Sequence, residues 1–232
     1  MFQSPIISVQ YLNHYFGKGS LRKQVLFDVS LSIDSGEIVI LTGPSGSGKT
    51  TLLSLIAGLR TIQEGSVKVL GREIYRASNQ KLLQLRRQIG YVFQKHNLVP
   101  FLTASQNVQM TMELGKNMSR KEMCREAEAM LELVGLKHRI NYYPEQLSEG
   151  QKQRVAFARA LVTKPQLILA DEPTASLDKA STHTVVETLK NLAKYHGCSI
   201  LLITHDNRIL DMADRIIHME DGYLKNNVRI AS

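Results

Sequence analysis

Eight consecutive residues, GPSGSGKT (Gly43 to Thr50), carry the clearest chemistry in the chain. Glycines at Gly43, Gly46 and Gly48 allow the backbone to curl so that successive N–H groups point inward, and Pro44, Ser45 and Ser47 fill the turns between them. Such a curl, placed at the start of a helix, attracts phosphate through free N–H groups and through the helix dipole. Lys49 adds a mobile positive charge for the β- and γ-phosphates of a nucleotide. The Thr50 hydroxyl, followed by Thr51, is placed to ligate Mg²⁺.

A second stretch answers the first. LILADE (Leu167 to Glu172) is an apolar strand that ends in two acids. Asp171 would stand beside the Mg²⁺ and its water shell, and Glu172, one residue on, would polarise an attacking water. The plainer reading, in which the two acids cap the segment before Pro173, loses its force once the phosphate loop is present.

These groups work only if the surrounding chain places them together. EIVIL (Glu37 to Leu41) is a continuous β-branched run, expected of a strand buried on both faces, and it leads through the glycine-rich turn into a helix beginning near Lys49. LILA (Leu167 to Ala170) and SILLIT (Ser199 to Thr204) read as two more such strands, bracketing a helix from about Ala180 to Tyr195. This alternation implies parallel strands with right-handed crossovers. Before it, Ile7, Val9, Tyr11 and then Val25 to Ile33 alternate apolar and polar residues as antiparallel strands do. Helical periodicity in Arg120 to Val134 and Gly150 to Leu161 points to a helical insert. The fold class expected is therefore α/β: a P-loop core, mainly parallel, with an N-terminal antiparallel β-subdomain and an inserted α-helical subdomain. The chain reads as one domain over 1–232, with the core in 1–100 and 160–232 and the insert in about 101–159.

Bulk properties set bounds. A chain of 232 residues, 43% hydrophobic and 22% charged, is long enough to bury one core without staples. Its longest apolar runs are strand-sized, far short of the ~18 residues that span a bilayer. Cys124 and Cys198 have no metal-site spacing and are expected to be reduced thiols. The net charge of +8 is spread over scattered Lys and Arg without interleaved aromatics, so no nucleic-acid partner is expected.

With these elements in place the chain resembles the ABC ATPases over essentially its whole length. LSEGQKQR (Leu147 to Arg154) looks like their signature motif. The resemblance implies that Ser148, Gly150 and Gln151 at a helix start form a second anion site for a γ-phosphate held by another copy, so two chains meet head to tail around two MgATP. It further implies that Gln94 is the Q-loop residue touching Mg²⁺ and water, that Asp178 in Ser176-Leu177-Asp178 belongs to the D-loop, and that His205 is the switch histidine at the γ-phosphate. Tyr15 fits the aromatic that stacks on adenine, with Tyr11 and Phe16 close enough to share the assignment. His14, His96, His138, His183, His196 and His218 read as structural or surface residues. Glu149 departs from the pattern, because the commonest signature has glycine there.

The implied activity is ATP hydrolysis that drives a separate transmembrane permease. YYPEQ (Tyr142 to Gln146) before the signature looks like importers and the MacB and LolD group, and the short stretch after His205 fits that group. HNLVPFLTASQNVQM (His96 to Met110) and GSVKVLGREI (Gly65 to Ile74) look most like DevA-type subunits associated with glycolipid export, which implies a periplasmic adaptor as a further partner. The start of the chain, with Gln3, Ser4 and Pro5, has no basic or apolar leader, so the expected location is the cytoplasmic face of the inner membrane, reached through the permease. An importer subunit and a non-transport ATPase acting on a soluble scaffold are the alternative readings.

Overall fold

Strands that are apolar on both faces form the centre of the molecule. In the computed structural model, which describes residues 4–113 and 118–229, β3 (Ile38–Thr42), β7 (Leu167–Asp171) and β8 (Ser199–Ile203) are almost wholly buried. They pair in parallel with one another and with β6 (Ile89–Val92) and β9 (Arg215–Glu220). An antiparallel strand, β10 (Tyr223–Arg229), closes one edge, giving the order β10-β9-β3-β8-β7-β6. Covering helices sit on both faces, as a buried parallel sheet requires. On one face lies α1 (Lys49–Ile56) with Leu52, Leu53, Leu55 and Ile56 fully buried, and on the other α6 (Lys179–His196) with Val185 and Leu189.

The expected antiparallel subdomain is present as a second sheet, in the order β2-β1-β4-β5, built from β1 (Ile7–Phe16), β2 (Lys23–Ile33), β4 (Glu64–Val69) and β5 (Arg72–Glu73). Its inward residues Ile7, Val9, Leu12, Leu26, Val29, Ile33 and Val67 join the same core as α1. A short helix, α2 (Asn79–Arg86), precedes β6.

The helical part comprises α3 (Ala104–Glu113), α4 (Arg120–Leu133) and α5 (Glu149–Leu161). Positions 114–117 of the expected insert lie outside the described residues. α4 starts with a reciprocal cap, in which the Ser119 hydroxyl accepts from Glu122 N–H and the Glu122 carboxylate accepts from Ser119 N–H. These helices have a core of their own, with Val108, Met112, Leu131, Val134, Val155 and Ala158. α5 belongs to both bodies: Val155 and Ala158 face the helical core, whereas Phe157, Ala160 and Leu161 face the sheet. A boundary at residue 159 thus falls inside one continuous helix. No helix among the described residues is long and apolar enough to cross a membrane.

Candidate functional site

The glycine-rich loop follows β3 and ends at the first residue of α1, and its backbone geometry is what the glycines are needed for. Gly43 has φ +136°, and a Cβ there would stand 1.9 Å from the Met219 carbonyl oxygen. Gly48, the residue before α1, has φ +102°. Any side chain at Gly43 would collide with the β9 backbone, so the loop can lie against that strand only because the position is bare. Lys49 is 6% exposed, and its Nζ donates to the carbonyls of Gly43 at 2.6 Å and Pro44 at 2.8 Å and to Ser47 Oγ at 3.3 Å. The lysine is thereby folded over its own loop. Burial lowers its pKa, and the negative charges of Glu172 and Asp171 oppose that shift.

Those two acids sit at the end of β7, as the strand pattern anticipates. Asp171 is 4% exposed, and burial raises its pKa against the pull of the Thr50 hydroxyl and the Lys49 charge. Thr50 and Asp171 both line the cleft and present two hard oxygen ligands, a pair suited to Mg²⁺. Glu172 has a left-handed backbone, φ +49°, a conformation that costs a non-glycine residue about 1 kcal/mol. Its N–H donates to the Ile203 carbonyl at 3.0 Å. The bend turns the carboxylate toward His205, whose Nε2 lies 3.2 Å from Oε1 and whose backbone N–H donates to Oε2 at 3.4 Å. Burial raises the Glu172 pKa, and the adjacent His205 pulls it back. The next turn is braced by Asp206, which accepts from Thr174 Oγ1 at 3.0 Å and pairs with Arg208 at 2.7 Å; Arg208 holds its pKa down at about 2.

One open cleft of about 410 Å³ gathers Ser45, Gly46, Gly48, Lys49, Thr50, Thr51, Gln94, Asp171, Glu172 and His205. Of Tyr11, Tyr15 and Phe16, only Phe16 lines it. Tyr15 has the Arg22 guanidinium 3.8 Å from its ring centre, its hydroxyl lies 3.2 Å from Glu64 Oε2, and Tyr11 is 71% exposed. Arg60 lies over the Phe16 ring at 5.0 Å. The signature residues Ser148, Gly150 and Gln151, and Asp178 of the D-loop, are not part of the cleft lining.

Around the signature, Ser148 caps α5. Its hydroxyl accepts from Gln151 N–H at 3.3 Å, and Gln151 Oε1 accepts from Ser148 N–H at 3.0 Å. Gly150 lies close to the D-loop, since a Cβ there would be 3.2 Å from the Ser176 carbonyl oxygen. Asp178 caps α6, accepting from the Ser181 N–H and hydroxyl at 2.9 Å each. Glu149 does not collapse onto the helix start. It pairs with Lys152 at 2.6 Å and with His96 at 2.9 Å, and these contacts lower its pKa. Sequence reasoning set His96 aside. It meets Glu149, 53 residues away, and no local pattern links the two.

A parallel sheet with a glycine-rich loop, lysine and paired acids converging at its strand ends defines a P-loop nucleotide hydrolase. The chain belongs to the ABC transporter family, whose model matches residues 26–175, and it is an ATPase of that family. It is 43% identical over 218 residues to the macrolide export ATP-binding/permease protein MacB of Aggregatibacter actinomycetemcomitans, matching 94% of this chain and 34% of that protein, so it spans about a third of that relative. It is 38% identical to the lipoprotein-releasing system ATP-binding protein LolD of Shewanella frigidimarina, covering 96% of this chain and 93% of LolD. Among solved structures it superposes with TM-score 0.94 and 35% identity on the dimeric post-hydrolysis state of the ATP-binding cassette MJ0796 bound to ADP and Pi, covering 97% of this chain and 99% of that one.

Proposed function

We propose that this chain is the ATP-hydrolysing subunit of an exporter of the MacB and LolD kind, working as a head-to-tail dimer beneath a separate membrane permease. The observation that carries the reading is the division of the site. One chain's cleft holds Lys49, Thr50, Gln94, Asp171, Glu172 and His205, while Ser148 and Gly150 lie outside it. A second chain is needed to bring its α5 start to the same γ-phosphate.

On this reading Lys49 leaves its carbonyl partners for the β- and γ-phosphates, and Phe16, with Tyr15 behind it in the sequence, offers a ring face to adenine. Thr50, Asp171 and Gln94 would hold Mg²⁺, which when bound supplies Lewis-acid charge neutralisation. Glu172 takes a proton from water as the water oxygen bonds to the γ-phosphorus. The bond from that phosphorus to the bridging oxygen breaks, leaving ADP and phosphate. His205, held against Glu172, donates to the transferred group. Loss of the γ-phosphate removes the bridge between chains, and the dimer opens.

A groove of about 300 Å³, lined by Leu83, Tyr91, Phe93 and Met110 together with Arg86 and Arg87, lies through Phe93 next to Gln94 in the sequence, with residues of both core and helical insert around it. A groove lined by both apolar and basic side chains fits a short amphipathic helix of the permease. The names of MacB and LolD, macrolide export and lipoprotein release, support extrusion, while a lipid or glycolipid cargo and a periplasmic adaptor rest on the likeness of His96 to Met110 to glycolipid-export subunits, and a seat on the cytoplasmic face of the inner membrane belongs to the same proposal.

The test is Glu172→Gln. Hydrolysis should fall roughly 100-fold or more while MgATP converts the chain to a stable dimer in sizing with light scattering. A variant that stays monomeric at saturating MgATP overturns the composite site. Recovery of only soluble partners from detergent-solubilised membranes would overturn the permease.

A further inference from the structure

Glu149 occupies the first turn of α5, between the two residues proposed to meet the partner's phosphate. A carboxylate at a helix N-terminus is favourable by itself, but here it would compete with phosphate for the same N–H groups. Two cations or donors hold it. Lys152 belongs to the same helix and, at 2.6 Å, screens the charge without tying α5 to anything else. His96, at 2.9 Å, comes from the segment that follows Gln94.

That segment is itself fastened to α5. The His96 ring also contacts the Gln153 amide oxygen through Nδ1, and the backbone carbonyls of His96 and Asn97 each accept from the Arg159 guanidinium at 2.7 Å. Arg159 is 7% exposed, so these bonds satisfy a buried charge and fix the backbone that carries the imidazole. Asn97 and Arg159 also line the groove beside Gln94. The phosphate-facing end of α5 is thus joined through the His96 side chain to the loop on which the groove opens, and Arg159 fixes the backbone of that loop.

We infer that His96 is a positioning residue for ATP-driven closure: it draws the Glu149 carboxylate away from the α5 start and so keeps that helix end open to the γ-phosphate of the other chain. The inference rests on the composite-site reading and assigns His96, Glu149 and Arg159 a part in it. A segment seated in the groove would bear on Asn97 and Arg159 and, through His96, on the grip at Glu149.

The experiment measures dimer formation of the full chain against MgATP in the Glu172→Gln background. It compares His96→Ala, Glu149→Gly, the double variant and His96→Gln, which keeps an N–H donor. His96→Ala should raise the MgATP needed for half-maximal dimer by roughly five- to tenfold, equivalent to ~1–1.4 kcal/mol. Glu149→Gly and the double variant should stay within about twofold of the parent, because no carboxylate is then left to restrain, and His96→Gln should retain most of the closure. Binding of a fluorescent ATP analogue to the monomer reports the fold and should be the same throughout. Unchanged closure in His96→Ala overturns the inference, as does a double variant as impaired as the single, which would give His96 a purely structural role. A parent that never dimerises defeats the composite site itself, and the positioning role with it.

Discussion

The chain contains two helix starts suited to phosphate, and they are built in opposite ways. The start of α1 is sunk into the molecule: Gly43 presses on the β9 backbone, and Lys49, 6% exposed, is caged by its loop's own carbonyls. The start of α5 is open. Ser148 and Gln151 cap it reciprocally at the surface, and its acid, Glu149, is drawn sideways to His96 and Lys152. The first is a finished binding site that needs its cation released. On the proposed reading the second is half a site, with Ser148 and Gln151 satisfying one another until a ligand displaces them. Affinity should therefore live in the first and assembly in the second.

Gly43→Ala strikes the deeper site and should have the largest effect. Because the added Cβ would lie 1.9 Å from a backbone oxygen, the loop must move, and nucleotide affinity by calorimetry should drop roughly 100-fold or more, about 2.8 kcal/mol. Ser148→Ala separates the two sites. Nucleotide binding by the monomer should stay within about twofold, while turnover falls roughly tenfold and the lost cap lowers stability by about 1 kcal/mol in thermal unfolding. If monomer affinity fell in step with turnover, the distinction between the two sites would be lost.

A subtler expectation concerns the acid side of the pH–rate profile. Burial raises the pKa of Glu172, and the neighbouring His205 opposes that rise. The carboxylate is the working form, so turnover is lost as pH falls through this raised pKa. His205→Ala removes the opposing charge, the pKa climbs further, and the acid limb of the remaining activity should move to higher pH. A limb that stays in place or moves lower would mean that Glu172 does not govern it.

Much of the site was legible because its parts are contiguous. Gly43 to Thr50 needs only a strand before it and a helix after it, and Leu167 to Glu172 only a buried strand whose end turns the acids outward. β3 and β7 supply both. The helices over Arg120 to Val134 and Gly150 to Leu161 were equally readable from their periodicity, since each has an apolar stripe and a serine cap. The ring that lines the cleft was not. Neighbours on a strand point to opposite faces, and the extra β1 residue between Val9 and Leu12, where Tyr11 has φ +47°, breaks the alternation set by Ile7 and Val9 before it reaches Tyr15 and Phe16. Nor could the limits of the helical insert be placed, because α5 packs one side on each core.

What the sequence determined by itself is chemistry carried over short spans: a phosphate loop, a pair of acids at a strand end, and a capped helix start. Local backbone preference and side-chain type suffice for these. Only the tertiary structure decided which distant groups share a space: Lys49 with Asp171 and Glu172, Glu172 with His205, and Glu149 with His96. Such meetings depend on strand order and on how α5 lies across two cores. They arise from the packing of many apolar residues together, and no short segment encodes them.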